Sequence, residues 1–436
     1  PDEIVFTGRT NPAATTSGAT GGPIDAAGGA GGDGAGTNGS ATGSNGGAAG
    51  ADGGAGGASD VEEPPCTAVT PAGGAFTKRK LLEQAADCAV FHYCEFELSA
   101  ARLRDASAES AEEPSAANLA AAREAWRKAM SSWQRAEIFR FGPAAPMAED
   151  PGGRDLRAPV YFFPLFSRCR VDEQTESRAY ERAAFAASSF NARGLSALEY
   201  LLFYGGADNG CASHSDLNDE GLWDALGSAE RARRKAAYAA VLGGDVLAGV
   251  GALREAWGSG GFRAELVGAG AGSSVYESEQ AALNAVNRGL FYVEVELKDL
   301  KLGRPLGLTT QCSSPPCPEF VESPYALVST QSMADNLVGF RRLFQGCGED
   351  NEGVGFDDWL GAVGAADTAE RMLAALDAAE AAVARLEPPF ERALTENQAA
   401  ALDVHTAVKG ITDLLKSEMV SVLDLELPMG SEGDND

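Results

Sequence analysis

From Phe76 onward, apolar side chains recur every three or four positions through long segments rich in Ala, Leu, Arg and Glu, and no segment alternates as a strand would. A 3.6-residue period gathers such side chains into one stripe of a helix, which needs a second apolar stripe to cover it. The spacing predicts helices over about Lys78–Ala106, Ser115–Phe139, Asp172–Ser189 and Ala192–Phe203. A second group is predicted over about Ala229–Trp257, Tyr276–Lys301, Ser329–Phe344, Thr368–Leu386 and Glu396–Leu423. Gly142-Pro143 and Gly303-Arg304-Pro305 supply breaks between them. Long helices with short connections form bundles. The expected fold class is therefore all-α: two antiparallel helical bundles, residues 66–214 and 215–436, with a pocket at their interface.

Residues 1–65 are of another kind. From Thr15 to Ser59 the chain is almost entirely Gly, Ala, Ser, Thr, Asn and Asp, a composition that buries too little apolar surface to fold. This stretch is expected to be a disordered linker that tethers the globular part. The start at Pro1, without Met, is read as loss of a targeting segment, with membrane contact expected only through a lipid anchor upstream. No run of about 18 consecutive apolar residues predicts a membrane-spanning helix.

The formal net charge of -28 excludes nucleic acid as a partner, because phosphate binding requires clustered Lys and Arg. A cationic or metal-bearing partner fits better, and the expected partner is a small ligand, a metal or another protein. Eight cysteines, an even number, point to disulfides and an oxidising compartment. Cys312 and Cys317 could close a short Ser/Pro loop, whereas Cys88 and Cys94, six apart on a helix, face different ways and cannot pair with each other.

Three segments place polar residues among apolar ones. Trp126, Met130, Trp133 and Glu137 share one helical face, with Arg140 three residues beyond, and an intrahelical Glu137–Arg140 pair is the plainer reading of that end. In Gly194-Leu195-Ser196-Ala197-Leu198-Glu199, Ser196 and Glu199 lie one turn apart, the separation at which two side chains converge on one ion, although serine is a weak metal ligand. Ser332, Asp335 and Asn336 fall within one helical turn, shortly after the polar Glu322-Ser323-Pro324-Tyr325 loop. His-Glu-x-x-His, Gly-x-Ser-x-Gly and Walker-type sequences are absent, and the only histidines are His92, His214 and His405. Of the three, His214 is the one near enough in sequence to reach Glu199 through a folded-back loop.

These segments together resemble the imelysin-like family of bacterial envelope proteins, which includes an insulin-cleaving membrane protease and iron-regulated proteins. Seven pieces occur in the family's order: Phe139-Arg140-Phe141-Gly142-Pro143, Phe163-Pro164-Leu165, the Gly194–Phe203 segment, Leu302-Gly303-Arg304-Pro305-Leu306-Gly307, Glu322-Ser323-Pro324-Tyr325, the Ser332/Asp335-Asn336-Leu337 helix and Gly433-Asp434-Asn435-Asp436. The family's Gly-x-His-x-x-Glu hallmark reads Gly-x-Ser-x-x-Glu here, Ser196 standing in the histidine position. The resemblance implies two helical bundles with a polar site between them, an envelope location (periplasmic or outer-membrane-tethered) and a link to iron or another divalent metal ion as cofactor or cargo. The expected ligand-binding residues are Gly194, Ser196, Glu199, Glu137, Arg140, Asp335 and Glu322. Glu199, Glu137 and Asp335 are the expected metal ligands, Arg140 would orient an anionic group, and no catalytic residue is assigned. The expected function is a non-catalytic ligand- or metal-binding component of metal acquisition. The alternatives are a metal-dependent peptidase and a structural surface domain with a vestigial site.

Overall fold

The computed structural model describes residues 66–428 and Ser431, apart from 259 and 349. The linker expected over 1–65 and the Gly433-Asp434-Asn435-Asp436 piece lie outside the described residues. Within them all the regular structure is helical, without strands. Helix α1 (Lys78–Glu112) begins where the Thr77 hydroxyl accepts from the Lys80 amide, and α2 (Ala116–Ala136) where Ser115 accepts from Asn118. Such caps satisfy amides that a helix's first turn leaves open. After α2 come α3 (Arg168–Ser177), α4 (Gly194–Phe203), α5 (Gly227–Trp257) and α6 (Glu279–Leu290). A π-helical segment (Val293–Gly303) leads on to α7 (Ser329–Gln345), α8 (Ala366–Ala384) and α9 (Gln398–Leu414).

Two bundles result. In the first, α1 packs along α2 and α5, and α4 wedges against both of these partners. Leu82, Phe96, Trp126, Trp133, Leu242 and Val246 are fully buried there, each contributing about 1.5–3 kcal/mol of burial. In the second, α8 packs on α7 and α9, and α9 on the π segment, around Leu337, Phe340, Leu376, Val404 and Ile411. Helix α5 follows residue 214 in sequence yet completes the first bundle. It is apolar enough by length and composition to pass for a membrane span, but Tyr238, Leu242, Val246, Val250 and Leu253 are buried in the core.

The bundles meet where α2 crosses α7. Gly339 permits the crossing, since a Cβ there would lie 2.6 Å from the Arg135 carbonyl oxygen. Four disulfides brace the chain: Cys66–Cys94, Cys88–Cys347, Cys169–Cys211 and Cys312–Cys317. The short Cys312–Cys317 loop closes on itself, and Cys88 and Cys94 each pair elsewhere.

Three predicted helices are broken. Asp172–Ser189 stops at Arg178, whose φ of 54° is left-handed, and continues as 3-10 turns. The long Tyr276–Lys301 helix changes to π geometry after Leu290. Glu396–Leu423 is interrupted at Asn397, whose side chain caps α9, and again by a π turn at Leu415–Met419.

Candidate functional site

The site is built outward from the first turn of α4. Gly194 has φ +71°, and a Cβ on it would stand 2.4 Å from the Val160 carbonyl oxygen, so only glycine fits this close approach. The same carbonyl accepts from the Leu195 amide at 2.9 Å, and Trp126 donates its indole N–H to the Leu195 carbonyl at 2.9 Å. These contacts fix the helix start and hence the direction of Ser196 and Glu199. The Ser196 hydroxyl is buried without a hydrogen-bond partner among the described residues.

Glu199 is 3% exposed. Its Oε1 accepts from the amides of Tyr325 and Ala326, both at 2.9 Å. Burial pushes its pKa up to about 8, the two amides acting against the shift and the carboxyls of Glu322 and Glu391 adding to it. Glu199 therefore carries a proton at neutral pH, in contrast to its ordinary value of 4.5. Between those two values the folded chain binds more protons than the unfolded chain, so stability is greatest near the lower and falls as pH rises through the upper. From about pH 5 to about pH 8.5 the wild-type chain should lose on the order of 3 kcal/mol more than Glu199→Gln, as read from urea unfolding midpoints. Parallel pH profiles would contradict this protonation state.

Ser196, Glu199, Glu322, Arg168, Arg304 and Tyr325 line one cavity of about 330 Å³, with the Phe163, Phe166 and Phe320 rings around them. The Arg304 guanidinium lies 3.9 Å above the Phe320 ring. Behind this cavity runs a buried polar seam between the bundles. Glu322 Oε1 accepts from the Tyr161 hydroxyl at 2.6 Å, the Lys301 ammonium at 2.8 Å and the Gln134 amide at 3.0 Å, while its Oε2 is buried without a partner among the described residues. Lys301 also donates to Gln134 Oε1 at 2.5 Å and Asn336 Oδ1 at 2.9 Å.

Lys301 lies 3.8 Å from Glu137 Oε2, which accepts from the Tyr292 hydroxyl at 2.6 Å. Arg157 bonds Glu137 Oε1 through Nε at 2.8 Å and again through its terminal nitrogen. Burial alone would raise the Glu137 pKa, but Arg157, Lys301 and Tyr292 together hold it below the usual carboxylate value. Two carboxyls face two cations, the balance that makes burial of charge tolerable.

The structure distributes the residues expected at the site unevenly. Ser196, Glu199 and Glu322 share the cavity, Gly194 serves the backbone beneath it, and Glu137 belongs to the adjoining seam. Asp335 turns away from its neighbour Asn336, accepting from Gln331 at 3.1 Å and lying 3.6 Å from Arg135. Arg140 bonds Glu296 and, at 3.2 Å, Glu149, and it lines a separate cavity of about 420 Å³ beside Tyr292 and Arg288. Glu199, Glu137 and Asp335, named together as metal ligands, thus have three different sets of partners.

Among the described residues, the cluster of Cys, His, Asp or Glu with mutually close ligand atoms is Cys169, Glu173 and Cys211. Both of its sulfurs are held in a disulfide. His214 is exposed and does not line the Glu199 cavity. His92 is fully buried against Phe139, and burial holds its pKa well below the usual histidine value. Arg157, Tyr161, Tyr292 and Lys301 were not singled out from the sequence. Arg304 lay within a family piece but carried no role.

The family described as Imelysin, peptidase M75, matches over residues 89–417. The chain belongs to the imelysin family. That finding bears out the family resemblance and agrees with the all-helical fold. An imelysin-like protein from Psychrobacter arcticum 273-4 is 18% identical with a TM-score of 0.61, the alignment covering 82% of this chain and 99% of that one. A protein of Parabacteroides distasonis ATCC 8503 described as an iron-regulated protein A precursor is also 18% identical, with a TM-score of 0.58 and coverage of 80% and 98%. At such identity these two imelysin-fold structures share the architecture alone. No curated protein matches the sequence.

Proposed function

We propose that this imelysin-family chain is an exported envelope protein that binds a small hydroxycarboxylate in the Glu199 cavity, without catalysis. The carrying observation is that two buried oxygens, Ser196 Oγ and Glu322 Oε2, lack partners among the described residues, beside the cavity-lining Arg304 and Arg168. Buried polar groups without partners are costly, by about 1–3 kcal/mol each. A ligand that supplied those bonds would recover the difference. Its carboxylate would take donors from Arg304, Ser196 and the protonated Glu199. Its hydroxyl would donate to Glu322 Oε2.

A bare transition metal fits these residues poorly at neutral pH. No histidine lines the cavity among the described residues, Glu199 keeps its proton, and Glu322 already accepts from Lys301. A hydroxycarboxylate is itself an oxygen chelator of iron(III). The reading therefore keeps the link to metal acquisition that the iron-regulated structural neighbour suggests, and four disulfides support an oxidising envelope compartment.

Calorimetric titration with malate and succinate, which differ by one hydroxyl, tests it. Malate should bind at least about tenfold more tightly, and Ser196→Ala and Glu199→Ala should each weaken it. Equal affinity for the two acids would remove the assignment, and chelator-sensitive cleavage of an unfolded polypeptide by the purified chain would replace binding with peptidase activity.

A further inference from the structure

A second cavity, of about 730 Å³, opens on the far side of α4, between α5 and the turn joining α1 to α2. Its charged lining is Arg123, Arg231, Arg233 and Lys235, and no carboxylate lines it among the described residues, in a chain of formal net charge -28. The rest of its wall is largely apolar, with Leu119, Leu201, Leu202 and Trp223. An apolar pocket with a few convergent polar groups is the usual form of a small-molecule site.

Lys235 is the decisive residue. It is 8% exposed, and its ammonium has no hydrogen bond or ion pair among the described residues. The charge instead lies 4.6 Å from the centre of the Tyr200 ring, 5.2 Å from Tyr204 and 5.7 Å from Trp223. Ring faces attract a cation, but they accept no N–H as a carboxylate would, so the ammonium is free to donate into the cavity it lines. Burial accordingly lowers the Lys235 pKa, with Asp172 opposing the shift. The other cations are partly engaged. Arg123 donates to the Leu202 carbonyl at 2.7 Å, Arg233 pairs with Glu230, and Arg231 lies 3.8 Å from an exposed Asp224.

We propose that this cavity binds an amphipathic carboxylate, its head group on Lys235 and its apolar body against Leu201, Leu202 and Trp223. The site is separate from the Glu199 cavity. Tyr204 borders the Lys235 side and Tyr325 the Glu199 side, and their rings meet edge-on with centroids 5.4 Å apart.

Decanoate, with decanol as the neutral analogue of equal chain length, is the probe. Calorimetry on the wild-type chain should give one decanoate site, with decanol at least about tenfold weaker. Lys235→Met should lower decanoate affinity by a similar factor and leave decanol unchanged, while Glu199→Ala should leave decanoate binding intact. Equal binding of decanoate and decanol by the wild-type chain, or no decanoate binding, would overturn the proposal whether or not the Lys235 variant folds. Undiminished decanoate binding by a folded Lys235→Met chain would overturn it too.

Discussion

Lys301→Met should destabilise the chain by about 3–5 kcal/mol, the cost of removing one member of a buried, hydrogen-bonded ion cluster. The ammonium is buried and serves four acceptors: Gln134, Asn336, Glu322 and, at longer range, Glu137. Methionine matches its length, so the loss reports on charge and hydrogen bonding more than on volume. The Glu322 and Glu137 carboxyls would remain buried, one with two of its three donors and the other with Arg157 and Tyr292 alone. Adding Glu322→Gln should recover a substantial part of the loss, because the cost lies in an uncompensated charge. The exposed Arg178–Glu181 pair provides the contrast, since solvent screens it and breaking it should change stability far less. Urea unfolding with a common slope measures all three variants. A Lys301→Met loss as small as that of the surface pair would mean that the seam is wet and does not hold the bundles together.

Removing the Cys88–Cys347 disulfide should have an effect of similar size for a different reason. The bond spans 259 residues, whereas Cys312–Cys317 spans 5. If a crosslink acts mainly by restricting the unfolded chain, the Cys88→Ala/Cys347→Ala pair should cost about 5 kcal/mol and Cys312→Ala/Cys317→Ala about 2 kcal/mol. The long crosslink also ties α1, in the first bundle, to the residues just after α7, in the second. Calorimetric unfolding of the two double variants gives the comparison. Equal losses would show that native packing around the sulfurs, and not loop closure, sets their value.

Helix content was legible because amphipathic periodicity is local, and the starts of α1 and α2 carry caps within one turn. Bundle membership was not legible. The apolar stripe of α5 does not encode that its partner is α1, more than 100 residues earlier. The π segment escaped for a related reason, since nothing in a local apolar pattern marks where i→i+4 bonding gives way to i→i+5.

At the site, Glu137 stood out as a carboxyl ending an indole-rich stripe. Its partners lie 20 residues away at Arg157 and 155 away at Tyr292, distances at which spacing says nothing. The Glu137–Arg140 pair anticipated from helical proximity gave way because Arg157 reaches the same carboxyl and Arg140 finds Glu149 and Glu296. Asp335 and Asn336 show the limit most sharply. Adjacent on α7, they project to different sides, so Asn336 enters the seam and Asp335 meets Arg135.

If the Glu199 cavity holds a hydroxycarboxylate, a crystal grown with citrate at neutral pH will capture one there. The prediction is ordered citrate density in that cavity, with a carboxylate on Arg304 and Ser196 and the hydroxyl against Glu322 Oε2. Citrate bound only elsewhere, or an empty cavity under conditions where calorimetry registers binding, would contradict it.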